Sequence, residues 1–179
     1  ENNRLCYILS KATAESLCLQ YDRSKKVKTK IARVALAYGP GTKRTDSRVM
    51  QEFIFKAHNN KKIDMLDSGE SIRNYLYITD CVEILLNIIL KGKEKVYNVG
   101  GDTEEVSIFN LAQKISDLTG AYVEKGKKKE YFIKTAPQKV GLSMDRYRAE
   151  FCEYGKNIVN LNKGISQVLR WYNIPITEK

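Results

Sequence analysis

The sequence predicts an α/β protein with some parallel strands, and three observations lead to this prediction. The spacing of apolar residues switches repeatedly between the helical and the strand period along the chain. Hydrophobic residues make up 42% of the 179 residues, which favours a packed core over a disordered chain. The longest apolar run, ILLNIIL at 84–90, is much shorter than the ~20 residues of a membrane-spanning helix. No membrane partner is therefore expected.

The first third of the chain predicts a helix, a strand and a second helix. Residues 7–22 carry apolar side chains at helical spacing beside one polar edge. Residues 28–39 are typical of a buried strand, which ends at the turn signal Gly39-Pro40-Gly41. A helix is predicted over 46–59, and Asp46 or Ser47 is expected to begin it.

The remainder of the chain continues the alternation. Residues 62–66 and 74–78 predict two short strands. A helix is predicted over 79–92, with Thr79 or Asp80 as its N-cap. The other predicted elements are a strand at 95–101, a helix from Ser107 to about Leu118 closed by Gly120, strands near 131–134 and 140–144, and helices near 145–151 and 162–172.

The formal net charge of +10 could attract an acidic partner. The densest lysine runs, SKKVKTK at 24–30 and KGKKK at 125–129, are typical of solvated loops. They form no basic stripe with interleaved aromatic residues, so a nucleic-acid partner is not expected.

The cysteines and the single histidine, His58, indicate whether the chain could bind a metal or form disulfides. No pair of cysteines has CxxC spacing, so we expect no metal site. Reduced thiols in a cytoplasmic protein are the simpler interpretation. The four cysteines are Cys6, Cys18, Cys81 and Cys152.

The sequence has no glycine-rich loop of the kind that holds a dinucleotide or a nucleoside triphosphate. Gly100-Gly101 lies near a strand end, but the acidic residues of DTEE at 102–105 would repel a phosphate. On its own, the chain therefore has no recognisable phosphate cradle for a dinucleotide.

One pair of residues could do acid–base chemistry. Tyr7 and Lys11 are four residues apart in a predicted helix, so their side chains share a face. A neighbouring ammonium favours the phenolate form of a tyrosine, which allows the phenol to act as a general base or acid. Spacing alone does not distinguish this pair from Tyr21 and Lys25 at the charged end of the same helix.

The context of the first pair resembles the extended short-chain dehydrogenases/reductases, the family of sugar-nucleotide epimerases and dehydratases. YILSKATAESLCLQY at 7–21 is similar to the Y-x-x-S-K-x-x-A-E pattern of the catalytic helix. The resemblance continues in order along the chain. The further matching stretches are RVALAYGPG at 33–41, DSRVMQEFIFKA at 46–57, SGESIRNYLYITDCVEILL at 68–86, VYNVGG at 96–101 and SIFNLAQKISDLTG at 107–120.

The resemblance implies the C-terminal part of a Rossmann-like doubly wound domain plus a smaller mixed α/β substrate-binding lobe. It assigns residues 1–60 to the remainder of the Rossmann-like domain and 61–179 to the lobe, with interleaved elements. The NAD-binding half is expected to precede residue 1, so NAD would be bound mainly outside this chain. The chain alone is then expected to be inactive.

The resemblance also implies residue roles. Tyr7 would be the general base and acid in sugar oxidation, and Lys11 would hold the hydroxyls of the nicotinamide ribose. Arg73 would grip the diphosphate of a nucleotide sugar, with Arg48 as a second contact. Val49 and Met65 would contact the base.

Each arginine has an alternative role. Arg73 could form a surface ion pair with Asp67 or Glu70, and Arg48 could pair with Asp46 or Glu52.

The sequence also departs from the family pattern. Leu36 stands where the family has an asparagine, and the stretch 135–145 supplies Lys139 but no arginine. Epimerase, dehydratase and decarboxylase therefore remain open, and a non-catalytic binding or assembly module is the alternative.

The resemblance further implies a homodimer formed through the Tyr7–Lys11 helix. An apolar strip on that helix could contribute to it, or could pack against the preceding half of the protein. Its residues are Ile8, Leu9, Thr13, Leu17 and Gln20.

Overall fold

The computed structural model describes residues 3–101, 105–126, 137–152 and 158–177. Within these ranges the chain forms six helices and seven strands. The helices are α1 (Asn3–Arg23), α2 (Val49–Asn60), α3 (Ile78–Lys91), α4 (Ile108–Thr119), α5 (Asp145–Glu150) and α6 (Leu161–Trp171). The strands are β1 (Ile31–Val34), β2 (Leu36–Tyr38), β3 (Lys62–Asp64), β4 (Ile72–Tyr77), β5 (Val96–Val99), β6 (Glu105–Ser107) and β7 (Tyr122–Glu124).

Parallel pairing dominates the sheets and confirms the predicted α/β class. β1 pairs with β5, β2 with β4, and β3 with β7, all in parallel. β6 adds an antiparallel strand to β4. Helices fall between the parallel partners, as crossover connections require.

The single strand predicted over 28–39 is wrong, because the chain changes sheets at Ala35. The N–H of Ala35 donates to the carbonyl of Val99 at 2.8 Å, which ends the pairing of β1 with β5. β2 then pairs with β4. This segment therefore links two sheets rather than forming one long strand.

Two hydrophobic clusters form the core. The larger joins α2, α4 and α6 through β3, and its central side chains are completely buried; they include Ile54, Ile63, Leu111, Ile165 and Leu169. The smaller packs α3 and α5 against β5, around Ile84, Tyr97, Val99 and Tyr147. Among the described residues, no helix has both the length and the apolar character needed to cross a bilayer.

Helix boundaries confirm one predicted cap and correct two. Ser107 caps α4 by accepting from the N–H of Asn110, and Gly120 ends that helix at a φ of 71°. α2 begins later than predicted, because Asp46 accepts from the N–H of Arg48 in a turn before the helix.

The predicted N-cap of α3 is also wrong. Asp80 lies inside the first turn of α3, where its carboxylate accepts from the N–H of Val159 at 3.0 Å. The carboxylate therefore ties the segment before α6 to α3. Burial raises the pKa of Asp80, and the bond from Val159 opposes that rise.

The strand predicted near 140–144 does not form, and only Lys139 bridges to Ile72. The strand predicted near 131–134 lies outside the described residues. β6 and β7, which have three residues each, were not predicted. The division of the chain between residues 60 and 61 stays a prediction.

Candidate functional site

A cleft of about 480 Å³ opens where the start of α2 meets the end of β3 and the side of β4. Four residues predicted to bind substrate, Arg48, Val49, Met65 and Arg73, all line it. They come from three separate parts of the chain, so the fold brings them together. Their roles in binding stay predictions.

Arg48 lies at the entrance to α2 and forms an ion pair with Asp46. Its Nη2 lies 2.6 Å from Oδ2 of Asp46, and its side chain is 59% exposed. The hydrogen bonds from Arg48 lower the pKa of Asp46. The pairing predicted as the alternative role of Arg48 therefore exists, and it holds the guanidinium at the edge of the cleft.

Arg73 is positioned by backbone carbonyls. Its Nη1 donates to the carbonyl of Ile72 at 2.7 Å and to that of Pro137 at 3.1 Å. Asp67, named as an alternative partner, accepts instead from the N–H of Gly69 at 2.8 Å. The guanidinium is thus held half-buried against β4 while it lines the cleft.

Much of the cleft lining is apolar. Met65 is 6% exposed, and its N–H donates to the carbonyl of Glu124 at the end of β7. Val49, Phe53 and Ile108 also line the cleft. Two cationic groups beside an apolar surface suit a ligand with an anionic part and a flat apolar part.

The cleft also contains polar groups that the sequence reasoning missed. Burial raises the pKa of Tyr75 to about 12, so this phenol is neutral over the physiological range. Gln51 is 4% exposed and lines the cleft from α2. Its place next to Met50, on the border of the apolar stripe of α2, was the available signal that it could point inward.

Tyr7 and Lys11 lie together, but away from the cleft lining. Nζ of Lys11 is 5.5 Å from the centroid of the Tyr7 ring, and the Tyr7 side chain is 62% exposed. The second pair differs, since Lys25 lies beyond the end of α1 at a φ of 57°. Tyr21 and Lys25 are therefore not neighbours on one helical face, a distinction that spacing did not reveal.

Polar contacts from its C-terminal half hold α1 against β1 and β5. Glu15 pairs with Arg33 at 2.6 Å, Asp22 pairs with Lys95, and Thr29 donates to the carbonyl of Cys18 at 3.0 Å. The apolar strip of α1 is more than half exposed at Ile8, Leu9 and Leu17.

Comparison with known proteins gives one family match and several relatives. The model of the NAD dependent epimerase/dehydratase family matches residues 2–100. UDP-glucuronic acid decarboxylase 1 of Xenopus tropicalis is 30% identical over 118 residues, which are 66% of this chain and 28% of that protein. The dTDP-D-glucose 4,6-dehydratase of Dictyostelium discoideum is 39% identical over 114 residues, 63% of this chain and 26% of the relative.

Solved structures show the same fold. The dTDP-glucose 4,6-dehydratase of Bacillus anthracis, in complex with NAD, has a TM-score of 0.78 at 22% identity, with 93% of this chain and 51% of that chain covered. The UDP-glucose 4-epimerase of Thermotoga maritima, with UDP-glucose, has a TM-score of 0.78 at 20% identity, with 92% and 52% covered. The chain thus spans about half the length of these structures.

Proposed function

Because the chain belongs to the NAD-dependent epimerase/dehydratase family, we propose that it forms the substrate-binding part of an enzyme that uses NAD to modify a nucleotide sugar. The family resemblance drawn from the motifs is thereby confirmed. The observation that supports the proposed function is the cleft, which Arg48 and Arg73 line together with the apolar side chains of Val49 and Met65.

The cleft chemistry supports a nucleoside diphosphate as the part of the substrate bound here. Arg73 and Arg48 provide charge-assisted donors for the diphosphate, and Val49 and Met65 provide an apolar surface for the base. The curated relatives are named for UDP and dTDP sugars. We therefore expect a uracil or thymine nucleotide.

Tyr7 and Lys11 fit one end of NAD. A phenol and an ammonium on one exposed helical face suit the hydroxyls of the nicotinamide ribose. NAD, when bound, supplies the hydride acceptor. Tyr7 accepts the proton of the sugar hydroxyl that is oxidised and later returns it, while Lys11 holds the ribose and favours the phenolate.

We further propose that this chain alone does not turn over substrate, since it has no glycine-rich loop for a dinucleotide and spans about half the length of the structure with NAD that it matches. Ile8, Leu9 and Leu17 would then be covered by a second copy in a homodimer, as their exposure favours. The free thiols of the cysteines suit a cytoplasmic protein.

The first test is calorimetric titration of the chain with UDP, dTDP, GDP and CDP. We expect UDP or dTDP to bind, and Arg73→Ala to weaken that binding by about 1.5–3 kcal/mol, because a charge-assisted hydrogen bond is lost. Arg170→Ala is the matched control, since Arg170 is an exposed arginine on α6 outside the cleft. Equal loss in both variants would leave only general charge attraction and would contradict the proposed site.

Leu36 favours a second candidate, a binding module of the same fold without catalysis. Leu36 lines the cleft and is 41% exposed, where the family pattern has a polar asparagine. This candidate predicts nucleotide binding without turnover even in the longer protein. Turnover that depends on Tyr7 would rule it out.

A further inference from the structure

Gln51 contains a buried donor that none of the described residues satisfies. Its side chain is 4% exposed, and its Nε2 has no hydrogen-bond partner among the residues that the structure describes. A buried amide without an acceptor costs free energy, so native proteins rarely keep one without a reason. Gln51 is also one of the residues that line the cleft.

The position of Gln51 on α2 relates it to the proposed diphosphate site. Arg48 is the extended residue directly before α2 and Gln51 lies in the first turn of that helix, and both residues line the cleft. A ligand held by the guanidinium of Arg48 would therefore occupy the cleft that Gln51 also lines. The two groups differ in depth, because the Arg48 side chain is 59% exposed and Gln51 is buried.

This difference in depth indicates which part of the ligand each group would bind. The exposed guanidinium suits the charged diphosphate, which keeps part of its hydration at the cleft edge. A buried neutral amide suits a neutral acceptor, since a charge there would be desolvated without a counter-ion. Asp64 lines the same cleft, and Oδ2 of its carboxylate forms an ion pair with Nζ of Lys56 at 3.3 Å.

We propose that Nε2 of Gln51 donates a hydrogen bond to a carbonyl oxygen of the nucleotide base, and so makes the cleft read the base as well as the diphosphate. The inference rests on the proposed nucleotide-binding function. It assigns the diphosphate to Arg73 and Arg48 and the base carbonyl to Gln51.

The test compares UDP with inorganic pyrophosphate, which lacks the base, on the wild-type chain and on Gln51→Met. Methionine keeps the length of the side chain and removes the amide. We expect the Kd for UDP to rise about tenfold in Gln51→Met, while the Kd for pyrophosphate stays within twofold. Arg73→Ala should weaken both ligands, which separates the two roles.

Stability gives an independent measurement. Removing a buried, unpaired donor should raise the melting temperature of unliganded Gln51→Met by about 2–4 °C. Gln167→Met is the matched control, because Oε1 of Gln167 is also buried without a partner among the described residues but lies outside the cleft. It should leave both Kd values unchanged.

Three results would overturn the inference. They are an unchanged Kd for UDP in Gln51→Met, an equal loss for UDP and pyrophosphate, and a lower melting temperature of the variant, which would show that the amide has a partner within the protein. If the wild-type chain bound neither ligand, the proposed nucleotide site would fail first and this inference would fail with it.

Discussion

The cleft and the Tyr7–Lys11 face of α1 are built in opposite ways. The cleft lies on the larger hydrophobic cluster, where Ile54 and Ile63 are completely buried beneath it. The face of α1 is exposed, and the helix is held mainly by polar links such as that between Glu15 and Arg33. The predicted binding residues thus lie on a buried hydrophobic core, whereas the predicted catalytic pair lies on an exposed helix face.

This difference indicates how the two proposed functions are divided along the chain. A cleft lined by residues with fixed neighbours can bind a ligand by itself, because the geometry of its side chains is already set. An exposed phenol and ammonium need a further surface to hold the reacting groups beside them. We therefore expect binding and turnover to be separable by mutation.

The largest effect should follow from Tyr7→Phe in a protein that joins this chain to a NAD-binding half. Removal of the phenolic hydroxyl removes the proposed general base, so kcat should fall about 10²–10⁴-fold. The Kd for UDP should stay within twofold, since Tyr7 does not line the cleft. Steady-state kinetics and calorimetry on the same preparation measure the two quantities.

Tyr21→Phe is the control for that substitution. Tyr21 belongs to the second tyrosine–lysine pair and is 52% exposed, but Lys25 is not on the same helical face. We expect this variant to keep wild-type kcat. A similar loss in both variants would mean that α1 as a whole, and not the phenol of Tyr7, supports turnover.

Unfolding free energies of two variants compare the core below the cleft with the exposed face of α1. Ile54→Ala removes a completely buried side chain below the cleft and should lower the free energy of unfolding by about 2–5 kcal/mol. Leu9→Ala truncates a side chain on α1 that is 56% exposed and should change it by less than about 0.5 kcal/mol. Urea unfolding followed by circular dichroism measures both.

The two results also test whether the face of α1 is covered in solution. If Leu9→Ala destabilised the chain as much as Ile54→Ala, the exposed strip would have to be buried against a second copy. Light scattering at several concentrations of the chain would then show a dimer that Leu9→Ala weakens.

The sequence predicted best those features that have a local cause. Ser107 and Gly120 bound α4 as predicted, because a side-chain cap and a positive φ depend on neighbouring residues only. Asp80 was misassigned because its partner, the N–H of Val159, is 79 residues away in sequence. The burial of Gln51 and the change of sheet at Ala35 likewise depend on tertiary neighbours that no local pattern contains.

The smallest expected effect concerns Glu150, which ties α5 to the turn before β5. Burial alone would raise the pKa of Glu150, but hydrogen bonds from the N–H groups of Lys93 and Glu94 and from the hydroxyl of Tyr97 outweigh burial and lower it. A carboxylate with a lowered pKa stabilises the folded state above its unfolded pKa, near ~4.3. That contribution is lost as the pH falls through the lowered value.

Glu150→Gln should therefore cost less than about 1 kcal/mol at pH 7, because solvent screens the exposed carboxylate. Once the pH has fallen below the lowered pKa of Glu150, the difference from wild type should vanish, since the wild-type carboxyl is then protonated in both the folded and the unfolded state. Hydrogen exchange at β5 and α5, followed from pH 7 to pH 3, measures this locally. A difference in exchange rate that persisted at pH 3 would mean that Glu150 stabilises the chain through packing rather than through its charge. The smaller hydrophobic cluster would then depend less on hydrogen bonds to this carboxylate than we propose.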